Sequence, residues 1–140
     1  MRRAANPERG AVATEFAIVM AVVLLSFFAL AVYGGRVVQA ENDVQSAAHE
    51  AARAASLAGT PAQASAAAHE VAASNLARSG VACGAGPLVG VDLSQFGPGG
   101  LVTVSISCSA DFRDVGSLGV ASSQTFSASA TEVIDTYRGE

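Results

Sequence analysis

The sequence predicts an α+β fold: a long N-terminal transmembrane and stem α-helix, a second Ala-rich helix, then a small antiparallel β-sheet domain. Three observations predict it. Residues 16–35 carry no charge; residues 37–79 are rich in Ala and hold no Gly or Pro except Gly59 and Pro61; and residues 101–108 alternate apolar and polar side chains. At 140 residues there is room for one domain and an anchor. The apolar fraction is 51% but aromatics are only 6% and Trp is absent, so Ala and Val supply most of it. Small side chains bury little area each, and any core outside a membrane will be thin. A net charge of −4 argues against a phosphate-neutralising surface, so no nucleic acid is expected as partner.

The first element is a membrane span. From Phe16 to Gly35 the chain runs 20 residues with Ser26 interrupting a series of Ala, Val, Leu, Ile and Phe. At a rise of ~1.5 Å per residue this covers ~30 Å, the thickness of a bilayer's hydrocarbon core. Arg2, Arg3 and Arg9 precede the run, whereas Arg36 is followed by Glu41 and Asp43. The basic excess marks the cytoplasmic side, so the reading is a single pass through the cytoplasmic membrane with the C-terminal part outside. Three fates are open to such a segment: a prepilin-type leader and stem, an uncleaved anchor, or a secretory signal peptide. For the last, Ala29-Leu30-Ala31 follows the 13-residue apolar stretch Phe16 to Phe28, and cleavage there would release a protein starting at Val32. Against it stands Glu15, an acid at the border of the apolar run.

The run Arg9-Gly10-Ala11-Val12-Ala13-Thr14-Glu15-Phe16 joins a basic residue, a Gly, an acid five positions later and the head of the apolar helix. It resembles the processing site of type IV prepilins, in particular the TadE-like pseudopilins of tight-adherence (Flp) pilus systems. The resemblance implies that a membrane-embedded prepilin peptidase cuts between Gly10 and Ala11, and that Glu15, with Phe16 beside it, helps subunits dock. A carboxylate costs ~2.5–3.5 kcal/mol at a membrane helix centre and less near the interface, which favours finding a partner. The α-amino group freed on Ala11 of a neighbouring subunit would lie at nearly the same depth. The stretch Val44 to Ala55, with His49, Glu50 and Arg53 set among Ala, is similar to the region that follows the membrane helix in TadE-like proteins, so the resemblance covers about the first 60 residues. It implies a minor pilin, since the major pilins of such systems are much shorter, with other pilins and the pilus assembly platform as partners.

Beyond the span the helix is expected to continue to Ala58. Val37, Ala40, Val44, Ala47, Ala51, Ala54 and Ala58 form a heptad-like seam at alternating spacings of three and four. Such a seam of small residues can pack on a neighbouring stem or on the chain's own second helix. Gly59-Thr60-Pro61 reads as terminator, N-cap and first helical position, and a second helix is predicted from Pro61 to Ser79, stopped by Gly80. A Gly- and Pro-rich stretch then leaves room for at most one short strand near Leu88 to Leu93. Leu101 to Cys108 is the clearest strand, with Val102, Val104, Ile106 and Cys108 on one face. Gln124 to Ile134 repeats the pattern, and the two should pair antiparallel across the Asp111 to Ser123 connection. The expected divisions are a leader over 1–10, the span over 11–35, a stem and second helix over 36–80, and a disulfide-closed β region over 81–140.

Cys83 and Cys108, 25 positions apart, are the only cysteines. Both are expected outside the cytoplasm, where an even count reads as a disulfide; the alternatives are free thiols or a metal pair, which would lack two further ligands. His49-Glu50 and His69-Glu70 have Arg53 and Ala73 where a zinc-protease helix needs its second His, so that motif fails. No phosphate loop follows a strand and no nucleophile signature is present. Neither enzymatic activity, cofactor, metal nor small-molecule substrate is expected.

Overall fold

The structure, a computed structural model, describes residues 7–111 and 123–137, without side chains for residues 7–12 and Asp111. Five elements follow in order: α1 (Pro7–Leu57), α2 (Pro61–Ser79), β1 (Leu88–Gln95), β2 (Leu101–Asp111) and β3 (Ser123–Val133). The α+β class read from the sequence is the class observed. Residues 1–6, part of the expected leader, positions 112–122 of the connection between β2 and β3, and residues 138–140 lie outside the described residues. The chain separates into two compact units, Met1–Arg36 and Val37–Glu140.

In the first unit α1 is exposed on every side. Twelve large apolar side chains between Phe16 and Val32 face outward, among them Phe16 at 65%, Leu25 at 70% and Phe28 at 71%. Burying one such side chain is worth ~1.5–3 kcal/mol, so leaving twelve in water would forgo on the order of 20 kcal/mol, more than most domains have in total. A lipid solvent removes that cost, and the helix is long and apolar enough to cross a membrane.

In the second unit the same helix changes character. Ala40, Val44, Ala47, Ala48, Ala51, Ala52 and Ala55 are buried, and they share one core with Ala64, Ala68, Ala72 and Leu76 of α2. The Ala face is therefore covered within the chain by α2 and the sheet. On α2 the buried positions recur every fourth residue, and a row of methyl groups lets the helices approach closely. The seam also departs from a strict heptad. Ala54 and Ala58 are only half-buried, whereas Ala48, Ala52 and Ala55 are fully so. A straight helix of 3.6 residues per turn drifts ~20° per heptad, which carries the buried face off the 3.5-residue repeat.

The break between the helices has the chemistry expected of it. Thr60 sits in extended conformation and its Oγ1 accepts from the Gln63 N–H at 3.3 Å, with Pro61 at the first helical position. At the other end of α2, Gly80 adopts a left-handed conformation (φ 77°), and the Val81 N–H donates to the Leu76 carbonyl at 3.1 Å.

The sheet has order β1-β2-β3, both pairings antiparallel. β2 and β3 hold one register from Leu101 opposite Val133 to Asp111 opposite Ser123. The core face of β2 is Val102, Val104, Ile106, Cys108 and Ala110, and β3 adds Phe126 and Ala130. β1 is longer than the short strand expected there, since it runs to Gln95, with a register shift between Asp92 and Gln95. Its glycine-rich flanks mask it in sequence, yet Val89, Val91 and Leu93 alternate against the core. The β1–β2 turn depends on Gly100, where an added Cβ would lie 1.9 Å from the Gln95 carbonyl oxygen.

Candidate functional site

Residues 10–16 fall within helical backbone of α1. Gly10 and Ala11 are in its first turns, one turn ahead of Glu15, so the peptide between them and the acid lie close along one helix axis. Glu15 and Phe16 are both exposed at the head of the apolar run. Glu15 is four positions from Ala11, a separation of ~6 Å along the axis at 1.5 Å per residue. The structure thus sets the four residues Gly10, Ala11, Glu15 and Phe16 on one element.

Cys83 and Cys108 are joined, with Cα atoms 5.3 Å apart. Cys108 lies on the core face of β2 opposite Phe126. Cys83 reaches it because the chain leaving α2 forms a bridge to Ala110, and Gly84 N–H donates to the Ser109 carbonyl at 2.9 Å. The bond closes a 25-residue interval containing all of β1. In the chain-entropy treatment a loop of that size contributes roughly 3–4 kcal/mol, a large share of what a core built mostly of Ala can supply.

The two His-Glu pairs do not converge. His49 contacts Gln45 (3.1 Å) and His69 Nδ1 contacts the Ser65 carbonyl (2.8 Å), each one turn back on its own helix. Glu50 has a different role, unread in the sequence. Its Oε2 accepts from Asn75 Nδ2 of α2 at 2.7 Å, and Asn75 Oδ1 in turn accepts from Arg78. This relay ties the stem to α2, and a separation of 25 residues leaves no local signal for it.

The outward face of the sheet carries Thr103, Ser105, Ser107 and Ser109 on β2 and Thr125, Ser127, Ser129 and Thr131 on β3. Thr103 and Thr131 share a hydrogen bond of 2.8 Å, as do Ser109 and Thr125. Leu88, Gly90, Ser105, Ser107, Ser127 and Ser129 line a shallow groove there, and its lining includes no titratable group. On β1, Asp92 accepts from the Ser94 backbone N–H at 2.9 Å, and this bond, helped by the Ser94 hydroxyl, holds its carboxyl below the ordinary range.

Against known proteins, the model of the TadE-like protein family matches residues 10–53. No curated protein and no solved structure matches the chain. The matched stretch begins at Gly10, takes in Glu15 and the whole apolar run, and ends at Arg53 inside the Ala-rich stem. Over residues 10–53 the chain is similar to TadE-like proteins.

Proposed function

We propose that the chain is a minor pilin or pseudopilin, a non-enzymatic structural subunit of a tight-adherence pilus. A prepilin peptidase cuts it between Gly10 and Ala11; the span holds it in the cytoplasmic membrane with the outer unit beyond, and Glu15 docks it to other pilins at the assembly platform. The observation that carries this reading is the extent of the TadE-like match, which starts at the glycine and runs through acid, span and stem as one segment. The exposed apolar helix supports it, because such a surface is stable in lipid or against other spans and not in water. The disulfide fits a location outside the cytoplasm.

N-terminal sequencing of the membrane and culture fractions tests it. A chain beginning at Ala11 is expected; Val32 would make it a secreted protein released by signal peptidase, and Met1 or Arg2 a plain anchored one. Gly10→Asp should leave a precursor of slower migration, and unchanged processing of that variant would count against the site. Glu15→Ala should be cut normally yet fail to co-purify with partner pilins.

A further inference from the structure

The two edges of the sheet differ. Along β1, α2 packs against the strand and the register shifts between Asp92 and Gln95; a covered or irregular edge is a poor template for another strand. β3 forms the other edge, and the devices that usually blunt an edge are missing from it. It runs 11 residues from Ser123 to Val133, holds an unbroken register against β2, and contains no Pro, Lys or Arg. Among the described residues no strand pairs with its far side. The Ile134 N–H donates to the Gly100 carbonyl at 2.9 Å, which fixes the alternation of the ladder. Even-numbered residues of β3 turn their backbone groups toward β2, and Thr125, Ser127, Ser129 and Thr131 turn theirs outward.

This edge is complementary to itself. Antiparallel pairing of two copies of β3 about a two-fold axis through Ala128, the middle residue of the strand, gives every residue from Ser123 to Val133 a partner. The outward-turned backbone groups then meet as hydrogen-bonded pairs, Thr125 against Thr131 and Ser127 against Ser129. Hydroxyl meets hydroxyl there, as it does within the chain at Thr103–Thr131 and Ser109–Thr125, and a hydroxyl can accept a second bond. On the core face Phe126 stands opposite Ala130, a large side chain against a small one. Glu132 is the one charge on the strand. It meets the amide of Gln124, and at ~3.4 Å per residue the two Glu132 carboxylates stay ~27 Å apart. We propose that two copies of this chain join edge to edge through β3 in the register centred on Ala128, making one six-stranded sheet from two outer units. The same patch serves on both copies, so the contact closes as a pair and does not extend into a fibre. It is independent of the pilus reading above and requires no cleavage at Gly10.

The test uses the full chain in its own membrane, as two differently tagged copies expressed together, one carrying Thr125→Cys and the other Thr131→Cys. Both positions lie on the face of the sheet away from the Cys83–Cys108 bridge. With a short thiol-reactive crosslinker the mixed pair is expected several-fold more abundantly than either same-tag pair, because identical positions stand ~20 Å apart in this register. No mixed adduct, equal yields of mixed and same-tag adducts, or adducts to another protein in their place would overturn the proposal. A charge swap reads the same contact without added thiols. Ser127→Lys with Ser129→Lys sets like charges directly opposite each other across the axis, whereas Ser127→Lys with Ser129→Glu sets opposite ones; within one chain these positions face only Ser107 and Ser105. The detergent-extracted parent and the Lys–Glu variant are expected at the mass of two chains, and the double-lysine variant at the mass of one. A parent of one chain mass, a double-lysine variant that stays paired, or a Lys–Glu variant that separates would each overturn it.

Discussion

One helix, α1, meets two different surroundings, and its two stretches show what small residues do in each. Before Arg36 the Ala residues of the span are scattered among Phe, Leu and Val and lie at an exposed surface; after it, Ala40, Ala47, Ala48, Ala51, Ala52 and Ala55 line a buried core. Composition alone does not separate these roles. What separates them is that the stem has Gln39, Asp43, Ser46 and Glu50 on its other face, so burial has a direction there, whereas the span from Phe16 to Val32 is apolar all round with Ser26 the one polar side chain.

The largest expected effect tests how much the thin core depends on its covalent link. Replacing both Cys83 and Cys108 by Ser should lower the stability of the outer unit by roughly 3–4 kcal/mol, read as a fall in melting temperature that reductant reproduces in the parent chain. An unchanged melting temperature would show that the Ala core suffices. Next comes the same substitution on the two stretches: Ala51→Leu forces three additional heavy atoms into a site with no exposure and should cost about 1–3 kcal/mol, whereas Ala21→Leu in the span should leave thermal unfolding unchanged. Comparable losses at both would erase the contrast. Thr60→Ala should cost about 1 kcal/mol through loss of the α2 cap, followed by circular dichroism.

The smallest effect concerns Asp92. Its folded carboxyl titrates below its unfolded value, so its contribution is present above the ordinary carboxylate range, about 3.9, and lost as pH falls through the lower folded value. Asp92→Ala should therefore reduce stability slightly at neutral pH and make no difference in strong acid, where the parent is already protonated. A difference that persists there would assign the effect to backbone geometry.

The helices, the two main strands and the cysteine pair were legible because each leaves a local trace. Thr60-Pro61 and Gly80 punctuate α2, and Val102, Val104 and Ile106 announce β2 by strict alternation. β1 was legible only in part, since Gly90 and the flanking glycines hide a strand whose order comes from pairing with β2. The link from Glu50 to Asn75 and the bulk of burial at Ala48, Ala52 and Ala55 were not legible, because they depend on where α2 lands and on the drift of a straight helix. At the candidate site the placement of Gly10, Ala11, Glu15 and Phe16 on a single helix follows from sequence alone.

Were the chain built into a fibre as proposed above, it would bear load, and the sulfur bridge would decide which part of it can be stretched. Tension entering at the stem and leaving at the C-terminus would cross directly from Cys83 to Cys108, so β1, the turn after it and β2 as far as Ser107 stand outside the force path. At a reach of ~3.4 Å per residue those 25 residues amount to about 85 Å of hidden contour length, locked while the environment is oxidising and released under reducing conditions.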